Sequence, residues 1–188
     1  TLQVDAFNEH RSGILMRRST VPDVAGFFPW SIPYANIGVM KNNGLDALLE
    51  IRNSSPSGWM YTFRGNFTFA KNKIVENDEP QRRYPYLSSR GLAVGTHHMY
   101  IAEGLFANES EIKAWPRQVF SVTRPGDVKY RDINGDGVID SYDQVPVGYP
   151  RLPQMSFGLG GTIAYKWFDV SIYFTGAARS SIFLNGYS

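Results

Sequence analysis

Residues 59–70 alternate between two kinds of side chain, and this run constrains the fold more than any other feature of the sequence. Aromatic residues occupy one parity and polar residues the other, namely Trp59, Tyr61, Phe63, Phe67 and Phe69 against Thr62, Arg64, Asn66 and Thr68. A period of two residues indicates a β-strand with one aromatic and one polar face. The run is longer than the usual strand of about five or six residues, and it matches the roughly 9–11 residues with which a tilted strand crosses a bilayer.

The same alternation recurs in two predicted hairpins. Residues 45–52 alternate before the run and are joined to it by turn-forming residues at 53–58. Near the other end of the chain the apolar parity changes at Trp167-Phe168, which indicates a tight turn between two further strands. The sequence therefore predicts an all-β fold with five strands, at about residues 1–9, 38–52, 58–71, 154–166 and 168–178.

Two β architectures fit this periodicity. A soluble β-sandwich also alternates along its strands and buries aromatic residues, so periodicity alone leaves it open beside a membrane barrel. The connections favour the barrel, because the joins spanning 10–37 and 72–153 are long and alternate with short turns, as extracellular loops alternate with periplasmic turns. Five strands are too few to close a barrel, since the smallest have about eight. We therefore predict that residues 1–188 are an antiparallel transmembrane β-barrel segment with two long extracellular loops.

Composition excludes several functional classes. The mean hydropathy is −0.28, and no apolar run approaches the length of a membrane helix, which is about 18 residues or more. The net charge is +2 with scattered basic residues, unlike that of a nucleic-acid-binding protein. Without cysteine, a catalytic constellation or a phosphate-binding glycine motif, we expect neither an enzyme nor a nucleic-acid partner. Residues 1–5 already alternate like a strand, so we expect the chain to be a piece of a longer one.

Residues 132–143, here called the acidic loop, follow the register of an EF-hand calcium loop. Oxygen-bearing side chains occupy positions 1, 3, 5, 9 and 12, Gly137 stands at position 6 where the chain turns sharply, and position 7 offers a backbone carbonyl. We expect Ca²⁺ to act here as a structural clip. The alternative is a turn-rich segment held by hydrogen bonds to its own side chains. The predicted ligands are Asp132, Asn134, Asp136, Val138, Asp140 and Asp143.

Two weaker signals lie in the predicted loops. His97 and His98 are adjacent, so on a strand their side chains point to opposite faces and do not chelate one metal ion together. Phe27, Phe28 and Trp30 form an aromatic stretch that would stack on sugar rings if it were exposed. This stretch belongs to the second hypothesis for the whole chain, a soluble secreted β-domain that is stabilised by calcium and binds carbohydrate.

Several short motifs follow one another in a particular order. They are Arg-Ser-Gly-Ile-Leu at 11–15, Asn-Ile-Gly-Val-Met-Lys-Asn-Asn-Gly-Leu-Asp at 36–46, Asn-Phe-Thr-Phe-Ala-Lys-Asn-Lys at 66–73, Pro-Gly-Asp-Val-Lys-Tyr at 125–130, Asp-Ile-Asn-Gly-Asp-Gly at 132–137, Gly-Tyr-Pro at 148–150 and Phe-Asp-Val-Ser at 168–171. Together they resemble the C-terminal half of the barrel of SusC/RagA-type TonB-dependent transporters. The resemblance extends over nearly the whole chain, and its specificity comes from the order and spacing of the motifs.

This resemblance implies a Gram-negative outer-membrane importer of glycans or peptides, typical of Bacteroidetes, that is a multi-pass β-barrel. Such transporters have an N-terminal plug and a TonB box, and they usually pair with a SusD-like surface lipoprotein that lids the barrel. The present chain would supply barrel wall and two extracellular loops, in contact with outer-membrane lipid and with the remaining barrel and plug. TonB would act through the absent N-terminal part. The matching motifs are structural ones, so they imply no substrate-contacting residues.

Overall fold

The computed structural model describes residues 1–21, 26 and 31–184, and it confirms an all-β chain. Along the sequence, the long strands lie toward the two ends of the chain, and the short elements lie between them. In chain order the elements are β1 (Leu2–Arg17), β2 (Tyr34–Ser54), β3 (Trp59–Glu76), a 3₁₀ turn (Pro85–Leu87), β4 (His97–Met99), β5 (Ala102–Leu105), α1 (Glu109–Ala114), β6 (Arg117–Gln118), β7 (Val128–Tyr130), β8 (Val138–Ile139), a 3₁₀ turn (Ser141–Asp143), β9 (Val145–Val147), β10 (Met155–Tyr165) and β11 (Phe168–Ala178).

The chain divides into two compact units. The first contains residues 1–79 and 90–95 and the chain from residue 149 onward, and the second contains residues 80–89 and 96–148. Five strands form the sheet of the first unit in the order β1-β2-β3-β10-β11, and all neighbours are antiparallel. Both predicted hairpins are confirmed. The order of the five strands in the sheet is also their order along the chain, so the sheet is a simple meander.

The predicted ends of the long connections are wrong by several residues. The first connection spans 18–33 rather than 10–37, because β1 and β2 are longer than predicted. The second spans 77–154 rather than 72–153, because β3 continues to Glu76. Register shifts interrupt the alternation in these parts of the strands, one of them around Gly13, whose φ is 66°. The backbone ladder continues beyond such bulges. The strands are therefore longer than the alternating segments that predicted them.

The register of the sheet places the apolar parities of the five strands on one face. Residues that pair directly across an antiparallel ladder point to the same side. One such row is Leu2, Leu49, Gly65, Leu159 and Phe174, and a neighbouring row is Val4, Ala47, Phe67, Phe157 and Gly176. The polar parity lies on the opposite face, so the two-faced strand predicted at 59–70 is part of a two-faced sheet.

Burial is low in the first unit. Among the described residues the buried apolar side chains are Phe106 and Ile139, and both belong to the second unit. On the sheet, by contrast, Ile172 is 57% exposed and Phe174 is 67% exposed. A soluble sandwich would bury one face of the sheet against another layer. The apolar face instead remains open.

Short strand pairs and one short helix form the second unit. β4 pairs with β9 and β5 with β7 in antiparallel orientation, whereas β6 pairs with β8 in parallel. Asn108 caps the start of α1, because its side chain accepts a hydrogen bond from the Glu111 backbone N at 2.9 Å. After the helix, Trp115 Nε1 donates to the carbonyl oxygen of Tyr130 at 2.9 Å. No helix in the described part of the chain is both long and apolar enough to span a bilayer.

Candidate functional site

The apolar face of the sheet is a continuous exposed surface across all five strands. The exposed fraction is 69% at Leu2 and 37% at Trp59, whereas Leu49, Phe67 and Phe69 are half-buried. Monomeric soluble proteins rarely expose a contiguous apolar patch of more than a few hundred Å². Lipid acyl chains around such a face remove the free-energy cost of exposing it to water. The outer surface of a membrane barrel is apolar for this reason.

Aromatic residues mark the end of the apolar face that lies at the short turns. Trp59 and Tyr165 stack with ring centroids 4.5 Å apart. The two-residue turn Lys166-Trp167 follows, with the ammonium of Lys166 lying 5.1 Å from the ring centroid of Tyr165. Trp167 is 90% exposed. Amphipathic rings at this position resemble the aromatic girdle that membrane barrels place at the bilayer surface.

The opposite face is polar, and its charged side chains are paired. Glu50 Oε1 lies 2.6 Å from a guanidinium nitrogen of Arg52 and 3.1 Å from Nε of Arg64. Further along the face the hydroxyls of Thr162 and Ser171 are 2.8 Å apart. Exposed ion pairs of this kind contribute little to stability. They do make the face suitable for the water-filled interior of a barrel.

The ring of Tyr173 covers the polar face of β10 at two glycines. Tyr173 pairs directly with Gly160, and a Cβ added at Gly160 or at Gly158 would collide with this ring. The phenol hydroxyl of Tyr173 also donates to Asn66 Oδ1 at 3.4 Å. The missing side chains of the glycines therefore leave room for an aromatic ring that joins three strands, as in other sheets where an aromatic residue covers a cross-strand glycine.

The acidic loop folds around its own carboxylates. Asp132 accepts hydrogen bonds from the backbone N–H groups of Gly135 and Gly137, at 2.7 and 2.9 Å. Asp136 accepts one from the backbone N–H of Val138, also at 2.9 Å. These hydrogen bonds are the kind that the turn-rich alternative to a calcium site requires.

Asp143 closes the acidic loop and is completely buried. Its Oδ1 accepts hydrogen bonds from the backbone N–H groups of Ile133, at 2.8 Å, and Asn134, at 3.4 Å. Its Oδ2 accepts one from the backbone N–H of Asp140 at 2.8 Å. Through these backbone amides, Asp143 connects the start of the acidic loop, at Ile133 and Asn134, to its last turn at Asp140.

The oxygen-bearing side chains of the acidic loop have the chemistry that Ca²⁺ prefers. Val138 gives its N–H to Asp136 rather than to β6, so the Val138 carbonyl lies on the same side of β8 as that carboxylate. Within residues 1–21, 26 and 31–184, no group of three or more acidic, histidine or cysteine side chains is placed to hold one metal ion. Calcium binding therefore stays a prediction.

Tyrosine rings pack against one another beside the acidic loop. Tyr84 and Tyr86 stack at 5.4 Å, and the Tyr86 hydroxyl donates to the carbonyl oxygen of Tyr142 at 2.8 Å. Arg83 lies 5.4 Å from the ring centroid of Tyr84 and 5.5 Å from that of Tyr142. Burial, and next the negative charge of Asp143, raises the pKa of Tyr86. Sequence reasoning missed this cluster, because 56 residues separate Tyr86 from Tyr142.

A lysine–glutamate pair connects α1 to β7. Lys129 Nζ lies 2.6 Å from Glu111 Oε1, and the backbone N–H of Ala107 donates to Glu111 Oε2 at 2.7 Å. The hydrogen bond from Lys129, followed by the one from Ala107, lowers the pKa of Glu111 below its ordinary value. The carboxylate therefore holds both the start of the helix and the neighbouring strand.

The weaker sequence signals lead to no assigned site. His97 and His98 lie next to each other on β4, on a strand as their prediction assumed. The aromatic residues that were candidates for sugar stacking, Phe27, Phe28 and Trp30, lie outside the described residues.

Two curated proteins are similar to the chain over most of its length, and both are TonB-dependent receptors of Formosa agariphila. One is 27% identical over 173 residues, which cover 87% of this chain and 17% of the receptor. The other is 23% identical over 159 residues, which cover 78% of this chain and 16% of the receptor. The chain thus spans about a sixth of the length of these relatives. No protein-family model matches it.

Solved structures of the RagAB peptide importer share the fold. The closed-closed state of that importer aligns with a TM-score of 0.65 at 16% identity, covering 95% of this chain and 19% of the other. A structure described as the RagAB peptide transporter aligns with a TM-score of 0.68 at 15% identity over the same shares. The sheet is therefore a barrel segment of the RagA-like kind, and the resemblance to SusC/RagA-type TonB-dependent transporters is confirmed.

Proposed function

We propose that this chain forms part of the barrel wall and extracellular loops of a SusC-like TonB-dependent importer in the outer membrane of a Gram-negative cell. The observation that carries the proposal is the apolar face, which continues in register across all five strands of the sheet and is exposed. The similarity to TonB-dependent receptors supports the same function.

The dimensions of the apolar face suit a bilayer. On β3 the face extends from Trp59 to Phe69, a length of roughly 33 Å at about 3.3 Å per residue. The strand tilt of a membrane barrel reduces this to roughly 25 Å across the membrane, which is about the height of the apolar band of such barrels. The next residues of the same parity are Lys71 and Lys73, so the face becomes polar where the band would end.

The edges of the sheet indicate what must surround it. β1 and β11 each pair on one side only among the described strands. Unpaired backbone N–H and C=O groups are costly inside a bilayer, which is why spanning sheets close into barrels. We therefore propose that further strands of the same transporter pair with β1 and β11, and that a plug belongs to the same protein.

Cargo and partners of the whole transporter follow by analogy alone. The solved neighbours are described as a peptide importer, and this chain covers 19% of one of them. We propose a glycan or a peptide as cargo, a SusD-like surface lipoprotein as partner and energy coupling through TonB. The soluble carbohydrate-binding alternative has less support, because it requires another layer to cover the apolar face.

The experiment compares two neighbouring positions on β3. Phe67→Cys and Thr68→Cys are made singly in the full-length transporter and spin-labelled, since the present chain has no cysteine of its own. In bilayers the label at position 67 should collide with dissolved oxygen and the label at position 68 with a water-soluble nickel complex. The two positions serve as each other's control. Equal access of the nickel complex to both labels would refute the membrane-wall proposal.

We also propose that Ca²⁺ binds the acidic loop and rigidifies the connection at 77–154. Support comes from the spacing of the oxygen side chains, from the buried carboxylate of Asp143 and from the Val138 carbonyl on the side of Asp136. The backbone hydrogen bonds to Asp132 and Asp136 are compatible with this proposal, because a carboxylate that accepts one or two hydrogen bonds keeps further lone pairs for a cation.

A further inference from the structure

Basic side chains line the end of the apolar face that lies away from the short turns. On the apolar face, Leu45 and Phe69 form the last apolar pair of β2 and β3. Two residues further along each strand, on the same face, Asn43 pairs with Lys71, and the next pair is Lys41 with Lys73. On β1 the residues in register with these two rows are Asn8 and His10. The lysine row is defined here as Lys41, Lys71 and Lys73, and all three are exposed.

The lysine row lacks a counter-charge in the described structure. No salt bridge to Lys41, Lys71 or Lys73 is present among the described residues. The carboxylate of Glu76, which is near them on β3, lies 2.8 Å from the guanidinium of Arg90. Like charges that face each other directly across a ladder are unfavourable. An external anion would relieve the repulsion between Lys41 and Lys73, which face each other directly.

The position of the lysine row indicates which anion fits. The row lies directly beyond Leu45 and Phe69, on the lipid-facing side if the sheet is a barrel wall. Lysine side chains at such a boundary extend toward the headgroups, and clustered basic residues attract anionic lipids. An ammonium group also forms strong charge-assisted hydrogen bonds with phosphate oxygens.

We propose that Lys41, Lys71 and Lys73 bind the phosphate of an anionic lipid headgroup while the acyl chains of that lipid pack on Leu45 and Phe69. The inference rests on the proposed function, since it needs the sheet to form part of a membrane wall. It adds a lipid-binding site to that wall. A free phosphate ion would use only the charges, whereas the lipid uses the adjacent apolar surface as well.

The test uses the full-length transporter, delipidated in a neutral detergent and mixed with equal amounts of phosphatidylglycerol and phosphatidylcholine of the same acyl chains. Native mass spectrometry measures the ratio in which the two lipids remain bound. The wild-type protein should retain phosphatidylglycerol preferentially. The triple variant Lys41→Gln, Lys71→Gln, Lys73→Gln should lose about five-fold in this preference per lysine, as expected for a basic residue near an anionic surface.

Two control variants separate the lysine row from net charge. Replacing the same lysines by arginine keeps the charge and should keep the lipid preference. The variant Arg11→Gln, Arg52→Gln, Arg64→Gln removes three positive charges from the opposite parity of β1, β2 and β3 and should leave the preference unchanged. An equal loss in this variant and in the lysine-to-glutamine variant would overturn the inference.

Two further outcomes decide the matter even if a variant fails to fold. Equal binding of the two lipids by the wild-type protein overturns the inference, and so does displacement of phosphatidylglycerol by millimolar inorganic phosphate. These results would leave the proposed function intact as long as the labels at positions 67 and 68 alternate in accessibility. A failure of that alternation would instead refute the membrane wall itself.

Discussion

The indole of Trp59 stacks on the phenol ring of Tyr165, with ring centroids 4.5 Å apart and the ring planes inclined by 25°. The two residues pair directly across β3 and β10 at the turn end of the apolar face. At the other end of that face the pair Lys41 and Lys73 takes their place. The band of apolar side chains is therefore bounded by aromatic rings on one side and by charges on the other.

Trp59→Ala should lower the free energy of unfolding of the full-length transporter by about 1 kcal/mol or more, because an aromatic pair contributes about 0.5–1.5 kcal/mol beyond its buried area. Trp59→Phe keeps a ring against Tyr165 and should lose less. Guanidinium unfolding in detergent micelles measures the difference. An unchanged midpoint for Trp59→Ala would show that the stack contributes nothing.

Gly160→Val should destabilise the sheet by about 1–3 kcal/mol, the usual cost of overpacking, because the new Cβ would collide with Tyr173. Gly161→Val is the matched control, since its Cβ would lie 3.5 Å from the nearest atom, the carbonyl oxygen of Thr62. In the background of Tyr173→Ala the cost of Gly160→Val should shrink, and a double-mutant cycle measures this coupling. Additive effects of the two substitutions would mean that the ring of Tyr173 moves aside without an energetic cost.

Ca²⁺ should bind the full-length transporter at the acidic loop, giving bound calcium in elemental analysis and slower proteolysis of the connection at 77–154. Asp136→Ala should abolish both effects, because it removes a carboxylate from the predicted ligand set. Asp127→Ala is the control, since this aspartate lies outside the loop. Absence of calcium from the wild-type protein, with unchanged melting in the presence of chelator, would leave the hydrogen-bonded turns as the whole explanation of the motif.

The start of α1 should loosen in acid. The pKa of Glu111 is lowered in the folded protein by its hydrogen bonds with Lys129 and Ala107. Its contribution to stability is therefore complete above the ordinary glutamate pKa and is lost as the pH falls through the lower folded value. Hydrogen exchange at the Ala107 amide, corrected for the intrinsic effect of pH, should show protection at about pH 6 that declines toward about pH 3.

Glu111→Gln supplies the control for this pH dependence. The glutamine keeps an acceptor for Ala107 but has no charge to titrate. Protection at Ala107 should then be weaker at neutral pH and nearly independent of pH in the acid range. The same pH profile in wild type and variant would exclude Glu111 as the titrating group.

Much of the sheet was predictable, because a period of two residues is a local property. The alternation from Trp59 to Phe69 predicts an aromatic and a polar face, and the turn-forming residues at 53–58 predict the first hairpin. The ends of β1 and β3 were not predictable, since polar residues at 9–11 and 71–73 end the apolar alternation while the backbone ladder continues in register, and bulges follow further on. The acidic loop showed its ligand types by spacing, but spacing does not say whether the carboxylates meet around an ion.

The sequence by itself determined the strand class, the aromatic stripe, the two hairpins and the chemistry of the acidic loop, because each depends on residues close together in the chain. The tertiary structure decided which distant residues meet. It set Tyr173 over Gly160, enclosed the carboxylate of Asp143 and aligned Lys41 with Lys73. Cross-strand register produces the first and the last of these contacts, and register depends on the pairing of whole strands rather than on any local pattern. Backbone amides of the acidic loop enclose Asp143.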